Sequence, residues 1–449
     1  MERLFKLKEN NTNVKTEAIA GLTTFLSMVY ILAVNPAILS QAGLNPASVF
    51  TATAVSAALG TLFMAFFANY PIALASGMGL NAYFSFSVCI PLAQAGIEDP
   101  WKIALTAVLV EGFIFVLLSL CKFREALVNK IPNNLKLGIT AGIGLFIAIV
   151  GLHGAGIVVT DPTAFIALGD LRSPSVALAL IGLLTIAILR HYNVTGYVLW
   201  GILFTWGLGI LAQFSGWYTV TEQTPSLLPS FASGMKPAAP VLFGFNFSYM
   251  FDHVLEFAVI VFSFLFVDLF DTAGALVALA RKANLLDKDG NLPRVGGALM
   301  SDALGTIAGA CLGTSTVTTY AESSAGIAVG GKTGLASVFT AGLFLISLLL
   351  APIFLAIPSF ATAPTLVFVG LLMVTVVKEM DFEEDMAGAL GGFLAMIMMP
   401  FTYSIANGIM FAILSFVLIK IGQGRIKEIR PVMWVSSILF ALRILTMIL

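Results

Sequence analysis

Charge is scarce in this chain. Only 10% of its 449 residues are Asp, Glu, Lys or Arg, against about a quarter in an ordinary soluble domain, while 59% are hydrophobic. That balance excludes a water-soluble globular protein and leaves a polytopic one embedded in a lipid bilayer. A net charge of -1 offers no basic field, so no nucleic-acid partner is expected. Cys89, Cys121 and Cys311, with His153, His191 and His253, stand at no metal-ligand spacing, and an odd cysteine count gives no disulfide framework. Neither a metal nor a cofactor is implied. No GxxxxGK[ST] run exists; the GGKTG at Gly330 to Gly334 lacks the upstream glycine and reads as a cytoplasmic turn. Transport driven by a nucleotide is thereby set aside. Ser-His, Cys-His and HExxH arrangements are missing as well, so enzyme activity is not expected. The N-terminus, MERLFKLKENNTNVKTE, has basic residues but no short apolar core before a small-residue cleavage site, which argues against a signal peptide.

What is present is a long series of apolar segments. A helix needs roughly 20 apolar residues to cross a bilayer core of about 30 Å. On that measure the first seven spans run over Thr16 to Leu39, Phe50 to Ala68, Ala73 to Ala93, Ile103 to Cys121, Leu137 to Val158, Val176 to Leu189 and Gly196 to Phe214. Seven more follow at Val254 to Ala280, Gly296 to Leu312, Thr314 to Gly330, Ser337 to Ile357, Ala363 to Val377, Met386 to Phe401 and Ile405 to Ile421. Between the two sets, Ser215 to Pro240 reads as an external loop. The last apolar stretch, Pro431 to Leu449, is short for a span and carries Arg443, which leaves it against the bundle or in the interface. With the N-terminus cytoplasmic, nineteen of the 23 basic residues fall inside, among them Lys122, Arg124, Lys130, Arg190, Lys288, Arg294, Lys332 and Lys378; only Lys102, Arg172 and Lys236 fall outside. So strong a positive-inside bias supports both the count and the orientation, in the plasma (bacterial inner) membrane.

Two spans depart from helix chemistry. The third, YPIALASGMGLNAYF, gathers Pro71, Gly77 and Gly79; the tenth, LGTSTVTTYAESSAG, is rich in Thr, Val and small residues. Backbone that leaves the helix at membrane depth survives only where protein or a water-filled cavity satisfies it. Matching interruptions in two seven-span halves predict an inverted-repeat transporter with its site where the broken segments meet. Ionisable groups mark that site. Asp268 and Asp271 lie one helical turn apart in VIVFSFLFVDLFDTAG, and Glu322 follows the tenth span's Thr-rich run. An acid at that depth costs roughly 2.5 to 3.5 kcal/mol on insertion scales, so it is kept where it handles a substrate or ion.

Five stretches carry a family resemblance: GLTTFLSMVYILAVNP, ASGMGLNAYF, VDLFDTAG, GTSTVTTYAESSAGIAVGGKTGL and MMPFTYSIANGI. Together they resemble the AzgA-like branch of the nucleobase:cation symporter-2 family, the adenine, guanine and hypoxanthine permeases. The resemblance implies an all-α polytopic fold of fourteen spans in two inverted seven-span repeats, with short extended strands interrupting spans 3 and 10. It implies a core domain of residues 16-136 and 254-357 (spans 1 to 4 and 8 to 11) and a gate domain of residues 137-253 and 358-421. Residues 1-15 and 422-449 would be a cytoplasmic N-terminus and a C-terminal segment. The family's acidic pair matches Asp268 and Asp271, its span 10 glutamate matches Glu322 and its span 3 asparagine matches Asn81. The substrate implied is a purine base, adenine favoured over hypoxanthine and guanine, carried with a proton; a homodimer follows by analogy alone.

A purine presents N-H donors and ring-nitrogen acceptors on its edge, and a carboxylate can accept two parallel N-H bonds. Asp268 and Glu322, the main chain at Ala321 and Ser323, and the flat apolar neighbours Met78 and Gly79 suit that task, with Asn81 beside them. For Glu322 and Asp268 the competing role is purely structural, holding a broken strand. Asp271 has three readings: substrate ligand, proton site, or acceptor bracing span 10. Thr272, Thr314, Ser315 and Thr316 are expected to support the ligands from behind. Glu111 in span 4 reads as a proton relay or as an acid packed against a polar neighbour, and Asp302 as interfacial. An anion exchanger of similar architecture is the alternative, but three acids would repel its substrate.

Overall fold

A computed structural model describes residues 2–120, 131–161, 165–221, 224–229, 237–283, 285 and 292–448. Cys121 at the end of span 4, the basic residues Lys122, Arg124, Lys130, Lys236 and Lys288, and parts of the Ser215 to Pro240 loop lie outside them. Ten helices among the described residues are long and apolar enough to cross a membrane. The chain is a mostly helical, multi-pass membrane protein.

In the first half, span 1 is α1 (Val14–Met28) and α2 (Ile31–Leu39), joined through a turn at Val29 and Tyr30, and span 2 contains α3 (Pro46–Phe63). Asn45 starts α3: its side chain accepts from the amides of Ala47 and Ser48, and Pro46 fills the first helical position, where a missing N-H costs nothing. Span 3 opens as β1 (Leu74–Ser76) and turns helical at α4 (Met78–Ala82). Then come α5 (Pro100–Leu120), α6 (Asn133–Gly154), α7 (Pro174–His191) and α8 (Tyr197–Phe214). The second half holds α9 (Val254–Lys282), α10 (Val295–Leu312), β4 (Val317–Thr319), α11 (Ser323–Ala328), α12 (Gly334–Ile346), α13 (Ser359–Val374), α14 (Met386–Phe401), α15 (Ile405–Gly422) and α16 (Pro431–Ile448).

Span 5 stops short of its expected end. Its helix closes at Gly154, and Val158 instead opens a hairpin of β2 (Val158–Asp161) and β3 (Phe165–Leu168), with Val158 opposite Leu168. The β-branched run of Val158 to Thr160 looks apolar enough to continue a span and favours a strand instead. The final helix, α16, lies against the bundle: Met433, Ser436 and Phe440 are buried, and the Phe440 ring meets Phe262 of α9 edge-on at 5.6 Å.

Two sets of helices pack among themselves. In one, α10 lies on α3 and α5, and α12 on α1 and α3; in the other, α6 lies on α13 and α14, α14 on α15, and α7 on α8 and α13. The glycines Gly138, Gly142, Gly144, Gly391 and Gly392 look from the sequence like a slippery surface between moving domains. They sit elsewhere. Gly138 meets Gly392, a Cβ on Gly142 or Gly144 would stand 2.8 Å from the Ala395 carbonyl or 2.7 Å from that of Gly370, and Gly391 faces Ala412. All these contacts stay inside the second set, so the missing side chains let its helices touch backbone to backbone and lock it together.

One buried carboxylate organises the turn between α11 and α12. Glu17 of α1 is fully buried and accepts from the amides of Lys332 at 3.0 Å and of Thr333 and Ala336 at 3.2 Å, and from the Thr12 hydroxyl at 2.8 Å. The GGKTG turn thus wraps an internal carboxylate at the N-terminus of α12, where negative charge is favoured. Glu17→Ala strands those amides, each at about 1–3 kcal/mol. The expected result is a melting temperature in detergent lowered by several degrees, and an unchanged melting curve would show the clamp to be idle.

Candidate functional site

The strands of spans 3 and 10 meet as an antiparallel pair, Leu74 opposite Thr319, Ala75 opposite Thr318 and Ser76 opposite Val317. Backbone bonds extend the pairing at both ends, Gly77 N to Thr316 O at 3.1 Å and Tyr320 N to Ala73 O at 3.0 Å. Three rungs cannot satisfy every polar group of two strands buried at membrane depth, so hydroxyls supply the rest. Thr61 Oγ1 bonds both the amide and the carbonyl of Leu74, and Thr306 Oγ1 donates to Val317 O at 3.1 Å. The Tyr320 hydroxyl donates to Ser76 O at 2.6 Å. Gly60 makes room for the crossing: a Cβ there would stand 3.1 Å from Val317 Cγ1.

Glu322 stands three residues beyond the end of β4, half-buried, and its Oε1 accepts from the Tyr30 hydroxyl at 2.5 Å. Ala321 is exposed; its carbonyl accepts from Ser324 N. Ser323 is committed to the strands, with its amide on Tyr320 O and its hydroxyl accepting from Ala73 N at 2.9 Å. Met78 and Gly79 begin α4. Gly79 also faces the second helix set, since a Cβ there would lie 2.9 Å from Ile143 Cγ2 on α6. Asn81, expected at the substrate, is fully buried and its Oδ1 accepts a short bond from Ser315 Oγ, tying the two broken spans together.

The acids of α9 differ in setting. Asp268 is fully buried, and its Oδ1 accepts from Thr272 Oγ1 at 3.1 Å. Thr272 is a hub, lying 2.7 Å from both Asp302 Oδ1 and Thr318 Oγ1. Asp271 is partly exposed and borders the strand junction: a Cβ on Gly77 would stand 3.5 Å from its Oδ2 and 2.6 Å from Thr318 Cγ2. Asp302 corrects the sequence reading. It is fully buried rather than interfacial: α10 packs against α3 and α5, and Thr272 of α9 donates to Asp302 Oδ1 at 2.7 Å.

A second polar group gathers on the residues before β4. Thr316 donates to Glu111 Oε2 at 2.8 Å, which gives that acid the polar neighbour the sequence reading allowed for. Thr314 Oγ1 lies 2.8 Å from Ser76 Oγ and accepts from Asn35 Nδ2 at 2.8 Å, while Asn35 also donates to Thr53 at 2.7 Å. Sequence reasoning missed Tyr30, Asn35, Thr53 and the bracing role of Tyr320. The available signal was an unexplained polar residue in an apolar run, as in MVYILAVNP. The wide external cleft of about 620 Å³, with His153, Asp170 and Tyr218 in its wall, is lined by none of the three acids.

Comparison with known proteins fits this arrangement. The chain is 44% identical to a putative permease of Methanocaldococcus jannaschii over 99% of this chain and 98% of that one. It is 43% identical to the guanine/hypoxanthine permease PbuO of Bacillus subtilis, covering 98% and 99%, and 38% identical to the adenine permease AdeP of Escherichia coli, covering 99% and 96%. Its fold is similar to the transmembrane domain of the cyanobacterial bicarbonate transporter BicA, with a TM-score of 0.65 at 15% identity over 90% of this chain and 97% of that one. A murine solute carrier 26 family member A9 structure matches with a TM-score of 0.63 at 13% identity over 91% and 68%. At such identities the likeness concerns the fold alone. The family model described as "Permease family" matches residues 15–411, and with full-length relatives at this identity the chain belongs to that family, within the nucleobase:cation symporter-2 group its motifs resemble.

Proposed function

We propose that the protein imports purine nucleobases by proton symport, adenine preferred and hypoxanthine and guanine accepted. The observation that carries this reading is Glu322: an acid just beyond a strand pair built from two broken spans, held by a tyrosine and in electrostatic contact with Asp271 of α9. Its carboxylate accepts ring N-H groups, the main chain at Ala321 completes the edge, and Met78 and Gly79 give a flat apolar wall. Asp268, oriented by Thr272, is the second ligand and the proton carrier. Asp271, against Gly77 and Thr318, braces the strands, and Ser323 and Asn81 support from behind. The relatives named as adenine and guanine/hypoxanthine permeases support the purine assignment.

The anion-exchange reading is weaker. An anion approaching Asp268, Asp271 and Glu322 would meet three acids and be repelled. In the proposed cycle the set containing α3, α5, α9, α10 and α12 is the core, of eight spans (1 to 4 and 8 to 11), and the set containing α6, α7, α8, α13, α14 and α15 is the gate, of six (5 to 7 and 12 to 14). The site alternates between the two sides as the core moves against the gate.

Uptake of a radiolabelled purine panel into proteoliposomes tests the assignment. Adenine should accumulate when the outside is acidic, and a collapsed pH gradient should abolish that accumulation. Sulfate or bicarbonate uptake without purine uptake would overturn it. Two variants separate the aspartates. Asp268→Asn should bind purine yet fail to concentrate it, since a permanently neutral group carries no coupling charge. Asp271→Asn keeps a hydrogen-bonding oxygen and should retain partial uptake. The opposite pattern would exchange the two roles.

A further inference from the structure

Span 1 grips the tenth span at both ends of its strand. Tyr30, fully buried in the turn between α1 and α2, donates to Glu322 Oε1 just after β4, and Asn35 on α2 donates to Thr314 just before it. The Tyr30 hydroxyl thereby takes up one acceptor site of Oε1. An ionised carboxylate with both oxygens available can accept two parallel N-H bonds, as a guanine edge supplies from N1-H and its 2-amino group. One held on Oε1 by a buried phenol is fixed in orientation and presents Oε2 first.

Resting on the nucleobase reading above, we propose that Tyr30 is a specificity-determining positioning residue. By engaging Oε1 and fixing the carboxylate's orientation it leaves Oε2 the stronger acceptor, favouring purines with one N-H on the recognised edge over those that add a 2-amino group there. A second adjacent N-H would share an oxygen that already accepts from the phenol, so it gains less than its desolvation costs.

Competition binding on the purified full-length protein in nanodiscs, with labelled hypoxanthine displaced by hypoxanthine or guanine, tests this. Tyr30→Phe should weaken hypoxanthine binding about tenfold and shift the hypoxanthine-to-guanine affinity ratio toward guanine by about fivefold or more. Tyr320→Phe removes a hydroxyl that braces Ser76 O, so it should weaken both bases alike and leave the ratio unchanged. An unaltered ratio in Tyr30→Phe would overturn the proposal, whatever happens to affinity. Should that variant not fold, the unmutated protein supplies the test: guanine, which adds a 2-amino group beside the same N1-H, must bind about fivefold more weakly than hypoxanthine. Equal affinities for the two would also overturn it. Absence of any purine binding by the unmutated protein is a different result, which removes the nucleobase reading itself.

Discussion

Glu322→Ala is expected to abolish purine uptake while the protein reaches the membrane in normal amount. The substitution removes the acceptor for the base and strands the buried Tyr30 hydroxyl that donates to it. A hydrogen bond to a charged group contributes about 1.5–3 kcal/mol, and a buried donor left unmade costs about 1–3 kcal/mol more. The lost bond to the base alone is roughly a ten- to hundredfold loss in transport efficiency. The stranded hydroxyl instead lowers melting, by a few degrees only, because the strand pairing does not run through the Glu322 side chain. Uptake at unchanged apparent affinity would remove Glu322 from the site.

The second large effect is mechanical. The end of span 3 touches α15 and the turn before it, in the set proposed as the gate: Ser87 Oγ accepts from Ile405 N at 3.2 Å, and the rings of Phe86 and Tyr403 meet edge-on at 5.8 Å. In a background lacking Cys89, Cys121 and Cys311, the pair Ser87→Cys with Ile405→Cys is expected to stop uptake almost completely on oxidation and to restore it on reduction. Either cysteine alone should be insensitive to oxidant. If a fully crosslinked pair continues to transport, the core does not move against the gate at this contact, and alternating access must occur another way.

Much of this site was legible because polar residues are so conspicuous in apolar runs. Asp268, Asp271 and Glu322 stand out by cost alone. The broken spans show themselves as Pro, Gly and β-branched residues where helix formers belong, and both contain the expected strands. What stayed hidden depends on contacts between distant segments. Tyr30 and Glu322 are separated by 292 residues, and a tyrosine inside MVYILAVNP looks like one more apolar ring. Asp302 misled for a related reason: position near a helix start suggests the interface, whereas burial is set by how α10 packs on α3 and α5 and by the Thr272 hydroxyl. The glycines of spans 5 and 13 advertised close packing truthfully, but nothing in their spacing named the partner.

The strand pair also constrains how the protein is made. Ala73 N bonds Ser323 Oγ 250 residues further along the chain. During synthesis, span 3 therefore enters the bilayer long before span 10 exists to receive its unpaired backbone groups. An extended segment in lipid leaves those groups without partners, at several kcal/mol each. Span 3 must wait in some provisional form, helical or sheltered by Thr61 and its neighbours on span 2, until its partner arrives. A chain truncated ahead of Thr314 should accordingly be a substrate for membrane quality control, however well its first seven spans insert.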